Sequence, residues 1–386
     1  MQKLSEKPDR MIITIRQPVR ILVLLAVLVT PGMLSAQDKN NSWPIFRGNQ
    51  GLSGNTQVIL PKALKVAWIS KMASGTKSSA VIGNNCIFVG SDDGTLYCLS
   101  LAGKSIWTFS AGNGIEAPPL FHDNTVYVGS LDGKLFAVDA RTGRQRWMYR
   151  TEGQISGSPN YFLSGTAEKI IVGSYDYSLY CIDGASGKFE WKYTSDNYIN
   201  CAPAVSGKMT VFGGCDGNLH VVNLVTGKLN HKINMSTYIA SSSTLSGNQA
   251  FFGDYDGQFF CVDFLAKKLI WEQTDGGSFV ASPSVSDSKV VIGSENRIVF
   301  CYNKADGKIL WRFKTLGKIS GSPVIAGNKV VIASGDGRLY VLDLQTGTQS
   351  WAYDMGSPSS STPAIVKNLL VIASEDGHVF GFRLSE

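Results

Sequence analysis

Residues Thr125 to Trp147 read TVYVGS, LDG, KLFAVDA, RTG, RQRW, and this stretch decides the fold. Its β-branched and aromatic runs last four to seven residues. Asp-Gly and Thr-Gly separate them, as tight turns separate short strands. Asp accepts the turn's own backbone N–H, and Gly supplies the positive φ that closes a hairpin. A short strand, a turn and another short strand leave no room for a helix.

The pattern returns about every 40 residues. Trp147 shares its slot with Trp68, Trp107, Trp191, Trp271, Trp311 and Trp351, and His231 bisects the longest gap. A second column runs Ile115, Ile155, Ile199, Ile239, Phe279, Ile319 and Ser359, each ahead of a run of small residues. Both series contain one interval of 44, from four extra residues between Tyr161 and Ile170. No stretch of 37–386 carries a 3.6-residue apolar period, so helical arrays of similar length are excluded. The expected fold is all-β: an eight-bladed β-propeller over 64–386, each blade four antiparallel strands. The last repeat ends before its Trp strand, and Leu64 to Trp68 is a Trp strand with no blade before it. The N-terminal strand is therefore expected to complete the last blade and close the ring, which removes exposed edges.

Residues 1–36 read as a signal peptide. Lys3, Lys7, Arg10, Arg16 and Arg20 precede the apolar run Ile21 to Thr30, and Leu34-Ser35-Ala36 offers a cleavage point. Met11 is an alternative start. An uncleaved anchor is the competing reading, but ten helical residues span about 15 Å, half a bilayer core. Residues 37 onward hold 31 Lys/Arg against 28 Asp/Glu with no basic run longer than two. That balance argues against a nucleic-acid partner. The expected mature protein is periplasmic or secreted, monomeric and without a transmembrane span. Residues 37–63, with Trp43 and Phe46, form an extension expected to pack on the outside of the disc.

Cys98, Cys181, Cys261 and Cys301 share a column with Ala137, Val221, Val341 and Gly381, which reads as a slot for a small apolar residue. Cys86, Cys201 and Cys215 stand outside it, and a disulfide among them is left open. The repeated turn aspartates read as structural. So do His220, in an aromatic column, and His231, in the Trp slot.

Segments 126–147 (VYVGSLDGKLFAVDARTGRQRW) and 330–351 (VVIASGDGRLYVLDLQTGTQSW) resemble the pyrroloquinoline-quinone-type β-propeller repeat, and the resemblance extends over 64–386. Trp43-Pro44-Ile45-Phe46-Arg47-Gly48 is similar to a W-x-x-F-R-G opening of many exported proteins in that superfamily. The BamB-like branch, of the outer-membrane assembly factor type, implies a periplasmic scaffold without catalysis, partnered by the β-barrel assembly machinery. That branch usually carries a lipid-attachment Cys, which this sequence lacks near Ala36. The quinoprotein dehydrogenase branch implies pyrroloquinoline quinone and calcium held against adjacent cysteines. No Cys-Cys pair occurs here, nor an insertion long enough to wall such a pocket. No cofactor, metal or catalytic residue is therefore expected.

What remains is variation against the repeat. Tyr175, Tyr177, Tyr198, Tyr238 and Tyr255 are expected along one rim of blades 3 to 5, with Phe279 beginning the next blade, and aromatics there suit an interaction surface. Lys77, Glu116 and Asn200 replace small residues on inner strands and are expected to line the channel. The expected function is an exported, non-catalytic protein-interaction scaffold of the cell envelope. The alternative is a quinoprotein-type oxidoreductase or small-ligand carrier using the central channel.

Overall fold

The computed structural model describes residues 41–235, 237–274 and 276–384. The signal-peptide reading lies outside them. The described residues form eight sheets and no helix. Blade 2 shows the pattern, with strands Leu120–His122, Thr125–Gly129, Lys134–Asp139 and Gln145–Arg150 paired antiparallel in chain order. In blade 8 the strand Lys65–Lys71 pairs with His378–Arg383 and closes the ring as expected.

The two most regular columns have one physical cause. The Trp slot lies opposite the small-residue slot in every blade: Trp107 faces Cys98, Trp147 faces Ala137, Trp271 faces Cys261 and Trp68 faces Gly381. A large ring needs a small cross-strand neighbour. Six of these indoles then dock the next blade through the N–H, as when Trp107 Nε1 donates to Ala140 O at 3.1 Å and Trp311 Nε1 to Leu344 O at 3.0 Å. His231 keeps the same role, with Nε2 2.6 Å from Phe264 O. All seven cysteines are free thiols. Burial pushes the thiols of Cys181, Cys261 and Cys301 up to about 12, so they behave as apolar filler.

Turn chemistry is equally regular. The Asp336 carboxylate accepts the backbone N–H of Arg338 at 3.0 Å, and that of Asp216 accepts Asn218 at 3.1 Å. Gly follows Asp with φ near +80° in most blades, but Tyr177 (φ 70°) and Arg297 (φ 66°) adopt the left-handed region without being glycine. The aromatic column is tied to the same turns. Tyr180 and Tyr340 donate their hydroxyls to Asp176 and Asp336, both at 2.8 Å. Fully buried His220 reaches Asp216 from Nε2 and Tyr193 from Nδ1.

Strand direction fixes two faces. The turns between second and third strands lie on what we term the upper face, with the connections between blades. The turns between first and second strands lie on the lower face. Around the channel, serines at equivalent positions join adjacent blades: Ala202 N donates to Ser242 Oγ, Ser242 N to Ser282 Oγ, Ser282 N to Ser322 Oγ and Thr362 N to Ser79 Oγ, at 2.9–3.1 Å. Small residues on the inner strand therefore serve close approach at the axis.

The extension departs from expectation. Instead of packing on the outside of the disc, it runs across the lower end of the channel. Its backbone pairs with the inner strands of successive blades: Trp43 with Ile82, Pro44 with Phe121, Gln50 with Val205, Gly51 with Leu245, Ser53 with Val285 and Gly54 with Ile325. Asn55–Thr56 then adds a parallel strand inside blade 7. Arg47 is fully buried and pairs with no acidic side chain among the described residues, donating instead to the carbonyls of Leu52, Pro283 and Pro323. Burial lowers its guanidinium to about 9, still protonated at neutral pH. Gly54 must be glycine, because a Cβ there would fall 2.1 Å from the Arg47 Nη2 atom. The inner-strand ends already carry unpaired backbone groups, and a segment crossing the axis satisfies them. A segment on the disc exterior would leave them unmet.

Candidate functional site

On the upper face, two sets of loops meet in every blade. The residue before each turn donates its backbone N–H to the connection that enters the inner strand of the same blade: Tyr175 to Gln154, Cys215 to Tyr198, Tyr255 to Tyr238 and Glu295 to Ser278, at 2.9–3.3 Å. This ladder holds the variable side chains on a rigid frame. It also corrects one expected rim residue. Ser278, not Phe279, is the counterpart of Tyr198 and Tyr238. Phe279 sits one residue later, in the isoleucine column, and is fully buried against Phe259 and Phe300.

The structure brings three of the tyrosines together. Tyr198 lies edge-on to both Tyr175 and Tyr177, with ring centroids 5.0 and 5.1 Å away. Such edge-to-face contacts hold large rings in place at little entropic cost. Tyr198 still exposes 43% of its surface and Tyr177 40%. One blade on, Tyr238 (56%) and Tyr255 (49%) extend the exposed arc. The arc thus has a preorganised end at Tyr198 and a more open end at Tyr238.

The channel opens beside this arc as a cavity of about 180 Å³, floored by Phe46 of the N-terminal segment. Lys77, Glu116 and Asn200 all line it, together with serines. Lys77 Nζ and Glu116 Oε1 form an ion pair at 2.7 Å between blades 1 and 2. The hydrogen bond and charge of Glu116 raise the Lys77 ammonium above its ordinary value. Nearby Asp92 is pushed up, first by burial and then by the Glu116 and Glu375 carboxylates, while Lys77 pulls the other way. Asn200 stands apart across the channel, its Oδ1 buried with no partner among the described residues. The sequence had no means to show that Phe46 closes the cavity, although the W-x-x-F-R-G pattern had already drawn attention to it.

No group of three or more His, Cys, Asp or Glu side chains converges among the described residues. Calcium takes six to eight oxygens, and the channel offers Glu116, already engaged by Lys77, with Asn200 apart from it. The donor set does not fit a calcium-held quinone. What the channel can do chemically is bind polar groups through hydroxyls, an amide and one ion pair.

The family profile described as outer membrane protein assembly factor BamB matches residues 61–175, 154–278 and 266–386. No curated protein matches the chain in sequence. Among solved structures, BamB from Moraxella catarrhalis superposes with a TM-score of 0.72 at 20% identity, covering 83% of this chain and 99% of that one. The quinohemoprotein alcohol dehydrogenase from Comamonas testosteroni gives 0.76 at 13%, covering 90% and 81%. The computationally designed Ika8 protein gives 0.71 at 20%, covering 81% and 98%. A designed chain as similar in sequence as a natural one shows that these likenesses report the fold.

Proposed function

The chain belongs to the family of the outer membrane protein assembly factor BamB, and from that premise we propose that it is a non-catalytic scaffold of the cell envelope. It presents the upper rim to a protein partner, and the β-barrel assembly machinery is the first candidate. The observation that carries this reading is the Tyr175–Tyr198–Tyr177 cluster, preorganised and still exposed. Exposed tyrosines held by one another lose little freedom on binding, which is the property of an interaction hot spot. Beneath them the blades are docked through backbone and indole hydrogen bonds, so the rim can change without disturbing the frame.

The test is photo-crosslinking from position 198 in the native envelope. Adducts with a component of the assembly machinery, lost when Tyr238 is also replaced by Ala, support the proposal. Adducts spread evenly over abundant envelope proteins would overturn it. So would quinone-dependent alcohol oxidation by the purified protein with added pyrroloquinoline quinone and calcium.

A further inference from the structure

The serines that join neighbouring blades around the axis carry more polarity than the joints use. Ser242 Oγ accepts the backbone N–H of Ala202, Ser282 Oγ that of Ser242, Ser322 Oγ that of Ser282 and Ser79 Oγ that of Thr362. A serine hydroxyl is a donor as well as an acceptor. None of these four hydrogens meets an acceptor among the described residues. All four serines are more than nine-tenths buried, and all line the central cavity. Pro118 and Ala202 hold the same position in blades 2 and 4, so close approach at the axis does not itself require a hydroxyl.

Two residues earlier on the inner strands, nearer the upper mouth, Lys77 and Glu116 stand where other blades place Ser156, Ala240 and Ser320. Lys77 Nζ donates to Glu116 Oε1 at 2.7 Å. The second carboxylate oxygen is left as an acceptor, and two ammonium hydrogens are left as donors. Ser360 of the same ring has a buried Oγ with no partner among the described residues. Half-buried Phe46 supplies an apolar floor. Lys77 and Glu116 are the two charged residues of the lining, so it carries no net charge. The cavity of about 180 Å³ has room for about six water molecules.

We infer that the channel binds a neutral polyhydroxylated ligand, a single sugar ring. A hydroxyl accepts and donates at one atom, which matches a lining that offers serine and ammonium hydrogens beside a carboxylate oxygen. The sugar oxygens take the hydrogens of the serines and Lys77, a sugar hydroxyl donates to Glu116, and the C–H face of the ring lies on Phe46. Charged ligands fit worse. An anion would face Glu116, with Asp92 and Glu375 close enough to act on Lys77 as well. The N–H groups of a cation would meet an ammonium and hydroxyl hydrogens. None of the rim tyrosines takes part, so the channel site stands or falls separately from partner docking. A free monosaccharide and the terminal unit of a longer glycan share this chemistry.

Saturation-transfer NMR on the purified protein, with the methyl glycosides of glucose, galactose and mannose as probes, tests the site. At least one should give a saturable response. Ala240→Leu should abolish that response with no change in thermal midpoint, because Asn200 and Val280 already hold the same position in the flanking blades. Glu116→Gln removes the charged acceptor and should weaken sugar binding about tenfold, which keeps the inference testable if the first variant folds poorly. A trisaccharide of the responding sugar that binds more tightly than the methyl glycoside would assign the site to a glycan end, and the reverse order to a free sugar. The inference is overturned by no saturable response to any of the three probes, or by a response that survives Ala240→Leu. Acetate or phosphate binding more tightly than every sugar, and more tightly still in Glu116→Gln, would overturn it too.

Discussion

The two ends of the channel are built on opposite principles. The lower end is closed by a segment that has no counterpart in the repeat, held by a buried guanidinium and backbone hydrogen bonds to blades 1, 2 and 4 to 7. The upper end is open, and its variable side chains sit on a backbone ladder that repeats in every blade. Below, the backbone pairing is made once by an unrepeated segment that depends on one buried side chain, Arg47. Above, the backbone pairing repeats blade by blade, and the side chains it carries are free to vary. Change at the lower end should register as lost stability, and change at the rim as lost binding.

The largest effect is expected in the frame common to both ends. Trp147→Ala removes a buried indole and its bond to Gly184 O, and should cost about 3–5 kcal/mol in chemical denaturation. Next comes the lower end itself. Arg47→Met removes a buried donor shared by three carbonyls, of which Leu52 O and Pro283 O keep only the Thr244 hydroxyl, and should cost about 2–4 kcal/mol. A loss as small as that of a surface change would show that the crossing segment adds little to the disc. At the rim the two readouts should separate. Tyr198→Ala with Tyr238→Ala should weaken partner binding by about 2 kcal/mol or more, while each single change stays within about 1 kcal/mol in stability. A parallel fall in both would erase the contrast between the ends.

Two smaller effects refine it. Arg297→Gly relieves a left-handed residue in an upper turn and should raise stability by about 1 kcal/mol, without touching the tyrosine arc. Acid should act on the lower loops. The hydrogen bond from Arg146 holds the Asp139 carboxyl down to about 2, and that from Ser186 does the same for Asp183. The unfolded chain binds protons more readily at these sites, so their contribution is full above about pH 4 and is lost as pH falls toward 2. Replacing both by Asn should flatten that part of a stability–pH curve measured by thermal unfolding.

How much of this was legible depends on whether a residue had siblings. The Trp slot, the small column opposite it and the closing strand were readable because each occurs in register many times. The same comparison identified His231 as a Trp substitute, and its bond to Phe264 O is the one the indoles make. Phe279 was misplaced by one position, because an aromatic beside Ser278 in a column of isoleucines satisfies both readings until backbone pairing separates them. The tyrosines of the arc were legible as variation, but their mutual contact was not.

By itself the sequence determined the period, the eight blades, the turn chemistry and the closure. Local propensity and side-chain size repeat every 40 residues, and repetition averages out ambiguity. Only the tertiary structure decided where the unrepeated parts go. Arg47 finds its acceptors 236 and 276 residues away, and Lys77 finds Glu116 in a neighbouring blade. Such contacts depend on how far the ring curves and where a crossing chain meets it. They are properties of the closed disc, and no single blade contains them.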